Sequence, residues 1–298
     1  MSMTAYPDTA TRLAGGRRTD IRSAVFAAVL WACLATACVF LLLVLAAILT
    51  EGLARFDLDL VANQPSKLNP ETAGVQSAIL GTLWVMGGTI VLALPLGIAA
   101  GVYLEEYADS TKWWNRLIEL NIQNLVAVPT IIYGILTLAF VVRSPLSVGA
   151  VVLAGSVALA LLILPVIIIT TREALRAVPR EIRDASLALG ATEWQTTWRQ
   201  VLPAAISGIA TGSILALSRA IGEAAPLILV GATVFVTVNP DGVFDRYTVL
   251  PVQIFNLVSL PDVEFQELAW ATILLLIIIL LAMNGAAIWL RNRFQRRW

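Results

Sequence analysis

Long apolar runs alternate with short polar stretches along the whole chain. Residues 23–50, 72–104, 120–142, 144–171 and 268–290 contain no Asp, Glu, Lys or Arg. Each exceeds the roughly 20 residues that take a helix across about 30 Å of hydrocarbon. A sixth run, residues 200–240, is interrupted only by Arg219 and Glu223. The pattern predicts an all-α integral membrane protein with six transmembrane helices and both termini on one side. The first and last runs are nearly uniform Leu, Ile, Val and Ala, as expected of peripheral helices facing lipid. The second run carries Gly81, Gly87, Gly88, Gly97 and Gly101, small residues that let membrane helices approach closely. Pro95, Pro129, Pro165 and Pro226 fall inside four consecutive spans. Each removes a backbone hydrogen bond and kinks its helix. Singly they read as packing kinks, together as candidate hinges. Outside the spans, residues 56–60 and 249–258 are amphipathic and suit the outer surface.

Charge sets the orientation. With a cytoplasmic N-terminus, fifteen of the twenty basic residues fall inside. They are Arg12, Arg17, Arg18 and Arg22, then Lys112 and Arg116, then Arg172, Arg176, Arg180, Arg183 and Arg199, and finally Arg291, Arg293, Arg296 and Arg297. Only Arg55, Lys67, Arg143 and Arg246 fall outside, an asymmetry that follows the positive-inside rule. The expected layout is a cytoplasmic tail (1–22), a first transmembrane helix (23–50), an extracytoplasmic loop (51–71), a core of helices two to six (72–290) and a cytoplasmic C-terminal tail (291–298). The first run exceeds a secretory signal's apolar core of about 7–15 residues, so it reads as an uncleaved span.

Composition narrows the chemistry. Charged residues make up 13% of the chain, against about 25% in soluble domains, and mean hydropathy is +0.82. The formal net charge of zero offers nothing to nucleic acid. With no histidine, His-ligated metals, Ser-His-Asp triads and His proton relays are excluded. With only Lys67 and Lys112, no phosphate-binding loop of the Gly-x-x-x-x-Gly-Lys-Ser/Thr type exists, so the chain does not drive transport by its own ATP hydrolysis. No span carries Asp, which excludes two-aspartate intramembrane proteases. Cys33 and Cys38 lie within the first span on different helix faces, with no disulfide or metal role expected.

Residues 171–203 are polar and arginine-rich, yet lie between two spans. Leu175, Val178, Ile182, Ala185 and Leu189 recur at steps of three and four, one apolar stripe on a helix. Gly190 interrupts it, and Thr192 with Gln195 forms a capping box that starts a second helix. A helix–glycine–helix hairpin with an apolar face and a basic rim predicts a docking surface for a cytoplasmic protein.

This stretch resembles a family. Asp184-Ala185-Ser186, then Gly190, then Gln200 and Leu202-Pro203, is similar to the EAA loop of bacterial ABC-importer permeases, with departures at Asp184, Ser186 and Gln200. The resemblance implies a type I importer permease architecture, in which the loop is the coupling helix seated on an ATPase subunit. Asp184, Ala185, Ser186, Leu189, Gly190, Ala191, Thr192 and Trp194 would then make the ATPase contact. Residues 217–227, LSRAIGEAAPL, resemble the fifth-span signature of phosphate-specific importer permeases; NLVAVPTIIYG (124–134) and YTVLPVQIFN (247–256) resemble the same subunits. That family implies a homologous permease partner, two copies of an ATPase that uses ATP and Mg, an extracytoplasmic phosphate-binding protein and a place in the bacterial inner membrane. It implies no cofactor on this chain.

Arg219 and Glu223 are the base and the acid inside the fifth span. A charge at mid-bilayer costs at least about 2.5 kcal/mol, so the two are expected to face the bundle interior, and as i and i+4 to share a helix face. They read either as a buried pair that fixes packing or as a lining of the phosphate path, with Tyr133 as a further candidate contact. Sulfate, molybdate or phosphonate as the anion, and a non-transporting scaffold or phosphate-signalling subunit, remain open readings here.

Overall fold

The computed structural model describes residues 21–67, 69–109, 111–232 and 236–294, and among them the chain is helical with no strand. Arg12, Arg17, Arg18, Arg296 and Arg297 lie outside the described residues. The apolar run at the start gives α1 (Ile21–Leu53), 33 residues and about 50 Å long at 1.5 Å per residue. Through Leu49 it forms a unit of its own. Most of its apolar side chains are exposed, Ile48 being buried, and both cysteines are free and exposed.

The second unit begins at Thr50. A short α2 (Leu58–Ala62), capped by the Asp57 carboxylate on the Leu60 N–H, leads into α3 (Gln76–Val102), which ends in a π-helical turn, Tyr103–Tyr107. Next come α4 (Trp113–Val126) and α5 (Thr130–Thr137), the latter extended by a π turn over Leu138–Arg143. α6 (Val152–Arg176), α7 (Arg180–Ala188) and α8 (Glu193–Thr196) follow, with a third π turn, Thr197–Val201. α9 (Leu202–Ile221), α10 (Ala225–Val230), α11 (Leu250–Val258) and α12 (Val263–Phe294) complete the chain.

α6 is the axis of this unit. Two thirds (67%) of its most apolar window is buried, against 11% for α12, which is peripheral as its composition foretold. Leu159, Ile163 and Ile167 of α6 share one core with Met86 of α3, Ala220 of α9 and Leu227 of α10. Glycines set the α3–α6 spacing. A Cβ on Gly97 would lie 2.6 Å from Ile167 Cγ2, and one on Gly101 would lie 2.7 Å from Thr171 Cβ. Gly81 and Gly88 are equally closed in by Thr248 and Ser156, whereas Gly87 faces open space and is not a contact glycine. The loop before α11 docks on the start of α6: Asp245 and Val243 carbonyls accept the Val152 and Leu153 N–H groups at 3.0 and 2.8 Å, supplying partners to a helix start that has none of its own.

Three expectations change. The third run is broken rather than merely kinked: α4 and α5 meet at 108°, so among the described residues five helices are long and apolar enough to cross a membrane, and six if this bent pair counts as one. Pro129 is the cause, since proline drives the preceding residue out of the α region and itself sits at φ −54°, ψ 135°. The stripe from Leu175 to Leu189 is divided between two helices by Pro179, at φ −55°, ψ 140°. Leu175 and Val178 are buried with Val102 and Val201, and only Ile182, Ala185 and Leu189 stay exposed on α7. Finally, α11 does not lie along the surface; its Leu250, Val252 and Leu257 are buried, the last beside Leu268 and Leu275 of α12.

Candidate functional site

The fifth span is broken where its charges are. α9 stops at Ile221, and after three intervening residues α10 restarts at Ala225, with Pro226 in its first turn and Gly231 closing it at φ +95°. Glu223 therefore lies past the helix end rather than on a shared helical face. Its carboxylate is 3.7 Å from Arg219 Nε, too long for a hydrogen bond and a loose ion pair. The Arg219 side chain is 49% exposed. It points out of this subunit's own bundle, not into it, and an arginine with five donors held by one loose contact can offer a pair of them to an anion. Arg219 also stands in the last turn of α9, where a cation complements the helix dipole.

The α4–α5 bend packs against this break. Gly134 of α5 abuts Pro226, where a Cβ would lie 2.7 Å from the Pro226 Cα. Tyr133 is 4% exposed, and its hydroxyl donates to the Leu125 carbonyl at 2.7 Å, bracing the bend from inside. Its proton is thus committed to the backbone of α4. Of the four prolines, Pro129 and Pro226 stand at breaks between helices, while Pro95 and Pro165 lie within continuous helices.

At the other site, α7 and α8 form the hairpin. Gly190 sits at φ +85°, and the turn is closed by Gly190 N–H to Leu187 O (2.9 Å) and Ala191 N–H to Ser186 O (3.2 Å), the paired bonds of a Schellman motif. The capping box forms in both directions, Gln195 N–H to Thr192 Oγ1 at 3.2 Å and Thr192 N–H to Gln195 Oε1 at 3.0 Å. Ser186 Oγ and Thr196 Oγ1, 2.9 Å apart, tie the two helices together. Asp184 and Ala185 are exposed on α7, Leu189 is 90% exposed, and Trp194 stacks 5.1 Å from Trp198 and 6.4 Å from Tyr107. A concavity of about 490 Å³ opens between the two arms, lined by Ile182, Ser186, Leu189, Gln195 and Arg199. Its lining is mostly apolar, with Arg199 at the edge.

The expected basic rim is smaller than its arginine count. Arg172 and Arg183 are turned inward onto Glu105, Glu106 and Glu119; Arg176 pairs with Glu105 but stays 56% exposed, as Arg180 and Arg199 are exposed. Sequence reading missed these acids, although Glu105 and Glu106 end a charge-free run and so mark a membrane boundary.

Comparison with known proteins agrees with this architecture. A model of the binding-protein-dependent transport system inner membrane component matches residues 93–298. The phosphate transport system permease protein PstA of Haemophilus influenzae is 31% identical over 255 residues, covering 85% of this chain and 87% of that protein. PstA 1 of Mycobacterium tuberculosis H37Rv is 36% identical over 225 residues, 75% of this chain and 71% of that one. Among solved structures, a chain of the inward-facing MetNI methionine ABC transporter aligns with a TM-score of 0.58 at 20% identity, over 75% of this chain and 95% of that chain. A chain of a bacterial ABC transporter that imports the acidic polysaccharide alginate aligns with a TM-score of 0.66 at 16% identity, over 90% and 96%. These two share the fold, that of type I ABC importer permeases. The matched residues take in the broken fifth span and the hairpin alike, and the chain belongs to the family of binding-protein-dependent transport system inner membrane components.

Proposed function

We propose that this chain is a permease subunit of an ATP-driven phosphate importer, forming one half of the translocation path. The observation that carries the reading is the half-exposed Arg219 within a span. A guanidinium on the subunit surface at that depth cannot face lipid without heavy cost, so it faces a second permease across a shared path. Phosphate suits it, because a guanidinium gives an oxyanion two parallel hydrogen bonds. Glu223 competes for the same donors and keeps the anion from being held too tightly to leave. The phosphate permease names of the relatives, together with residues 217–227, favour phosphate over other oxyanions.

In this reading both termini and the hairpin are cytoplasmic. The exposed face of Asp184–Trp194 docks one of two ATPase copies, which bind ATP and Mg, and the opposite end receives a phosphate-binding protein. The domain layout given above, with its core over 72–290, is part of the proposal, as are Pro129 and Pro226 as hinges. The test is labelled-phosphate uptake by vesicles holding the four-component complex, with ATP inside and sulfate as competitor. ATP-dependent uptake that sulfate does not block is expected. Arg219→Gln should lower it about tenfold or more, the cost of a charged hydrogen-bond pair of about 1.5–3 kcal/mol. Uptake blocked by sulfate would move the assignment to another oxyanion, and normal uptake by Arg219→Gln would remove Arg219 from the path.

A further inference from the structure

Six charged side chains join the hairpin to the elements around Arg219, and none of them belongs to the docking face. Arg183 of α7 is the most connected. Its Nη2 donates to Glu106 Oε1 at 2.7 Å and to the Leu175 carbonyl at 2.9 Å, and its Nη1 donates to the Val178 carbonyl at 2.8 Å. One guanidinium therefore holds the hairpin helix, the carbonyl end of α6 and the π turn that ends α3. Beside it, Arg172 of α6 donates to Glu105 at 3.1 Å and to Glu119 of α4 at 2.9 Å, and Arg176 donates to Glu105 at 2.7 Å. Side-chain exposure is 22% for Arg183, 11% for Glu106, 11% for Arg172 and 16% for Glu105. Exposed ion pairs contribute little; shielded ones held by several hydrogen bonds fix geometry, and losing one partner is costly.

We infer that Arg183 and Glu106 are the positioning residues that pass movement of the hairpin into the membrane. The inference rests on the reading of the hairpin as the ATPase-driven element. Movement of α7 pulls the α3 π turn through Glu106, and the Glu105–Arg172–Glu119 bonds carry it to α4. From there the path is steric. The Tyr133–Leu125 bond holds the α4–α5 angle, and Gly134 bears on Pro226, three residues from Glu223. Without the Arg183–Glu106 bond, α7 keeps the Arg183 bonds to the Leu175 and Val178 carbonyls and the Ser186–Thr196 contact, and none of these hydrogen bonds reaches α3, so movement of the hairpin no longer passes to its π turn.

The test uses the assembled complex in lipid vesicles, with Cys33→Ala and Cys38→Ala and spin labels on Leu136→Cys of α5 and Leu281→Cys of α12, both exposed positions. The label distance is measured without nucleotide and with trapped ATP, alongside ATP hydrolysis and phosphate uptake. ATP is expected to shift the distance in the parent complex. Arg183→Gln and Glu106→Gln should each cut the shifted population about five- to tenfold, within the range of coupling between sites, while ATP hydrolysis continues. Arg183→Lys, which keeps a cation for Glu106 and donors for the two carbonyls, should recover most of the shift. A shift untouched by both Gln variants, an Arg183→Lys variant no better than Arg183→Gln, or a parent distance indifferent to ATP would overturn the inference. A normal shift without phosphate uptake would instead refute the assigned anion and leave the positioning role standing.

Discussion

The hairpin turn offers the cleanest separation of backbone from side-chain effects. Gly190 has φ +85°, yet a Cβ there would meet nothing within 4 Å. Any loss on substitution therefore comes from the left-handed conformation alone. For an L-residue that conformation costs about 1–2 kcal/mol, about a 5- to 30-fold shift between the closed and open turn. Asparagine visits this region more readily, and a β-branched residue visits it least. The affinity of purified ATPase for the reconstituted permease should therefore fall in the order Gly, Asn, Ala, Val, with Ala about 5- to 30-fold weaker than Gly and Asn nearer to Gly. Titration of labelled ATPase against vesicles reads this directly. If Ala binds as well as Gly, or Asn worse than Ala, the turn does not govern docking through its backbone geometry.

Two further outcomes follow from close contacts. Gly101→Val would drive its Cβ to 2.7 Å from the Thr171 side chain and 3.1 Å from the Ile168 carbonyl, and such overpacking costs about 1–3 kcal/mol. Thermal unfolding in detergent should show a lower Tm for it, with Gly87→Ala unchanged; equal Tm values for both would refute the α3–α6 contact. Ser186→Ala breaks the 2.9 Å bond to Thr196, worth about 1 kcal/mol, so ATPase affinity should weaken no more than about fivefold. A hundredfold loss would mean that Ser186 touches the ATPase itself.

Much of the architecture was legible because lipid leaves few alternatives. Charge-free length sets the spans, and the Thr192–Gln195 box and Gly190 set the hairpin from local chemistry alone. The misses have a common origin in proline. Pro129, Pro179 and Pro226 are separators between helices, but periodicity carries apolar positions across them as though the helix continued. That is why Leu175 and Val178 were grouped with Leu189, and why Arg219 and Glu223 were set on one helical face. The Arg219 exposure was also illegible, since burial is a property of the folded subunit. So were the ion pairs of Arg172, Arg176 and Arg183, whose acids lie 53–77 residues away in the chain.

The three π turns bear on how this chain can be altered. A π turn holds one residue more than the α-helical turn it replaces, so in an aligned relative without it the difference reads as a single-residue gap. Removing one residue from Tyr103–Tyr107 would turn the π turn back into an α turn, leaving the residues on either side in register and re-aiming those within it. The acids at that turn would then face another quarter of the compass with the fold otherwise intact. Insertions and deletions at residues 103–107, 138–143 and 197–201 are thus the changes most able to re-aim a side chain in a chain whose spans tolerate few others.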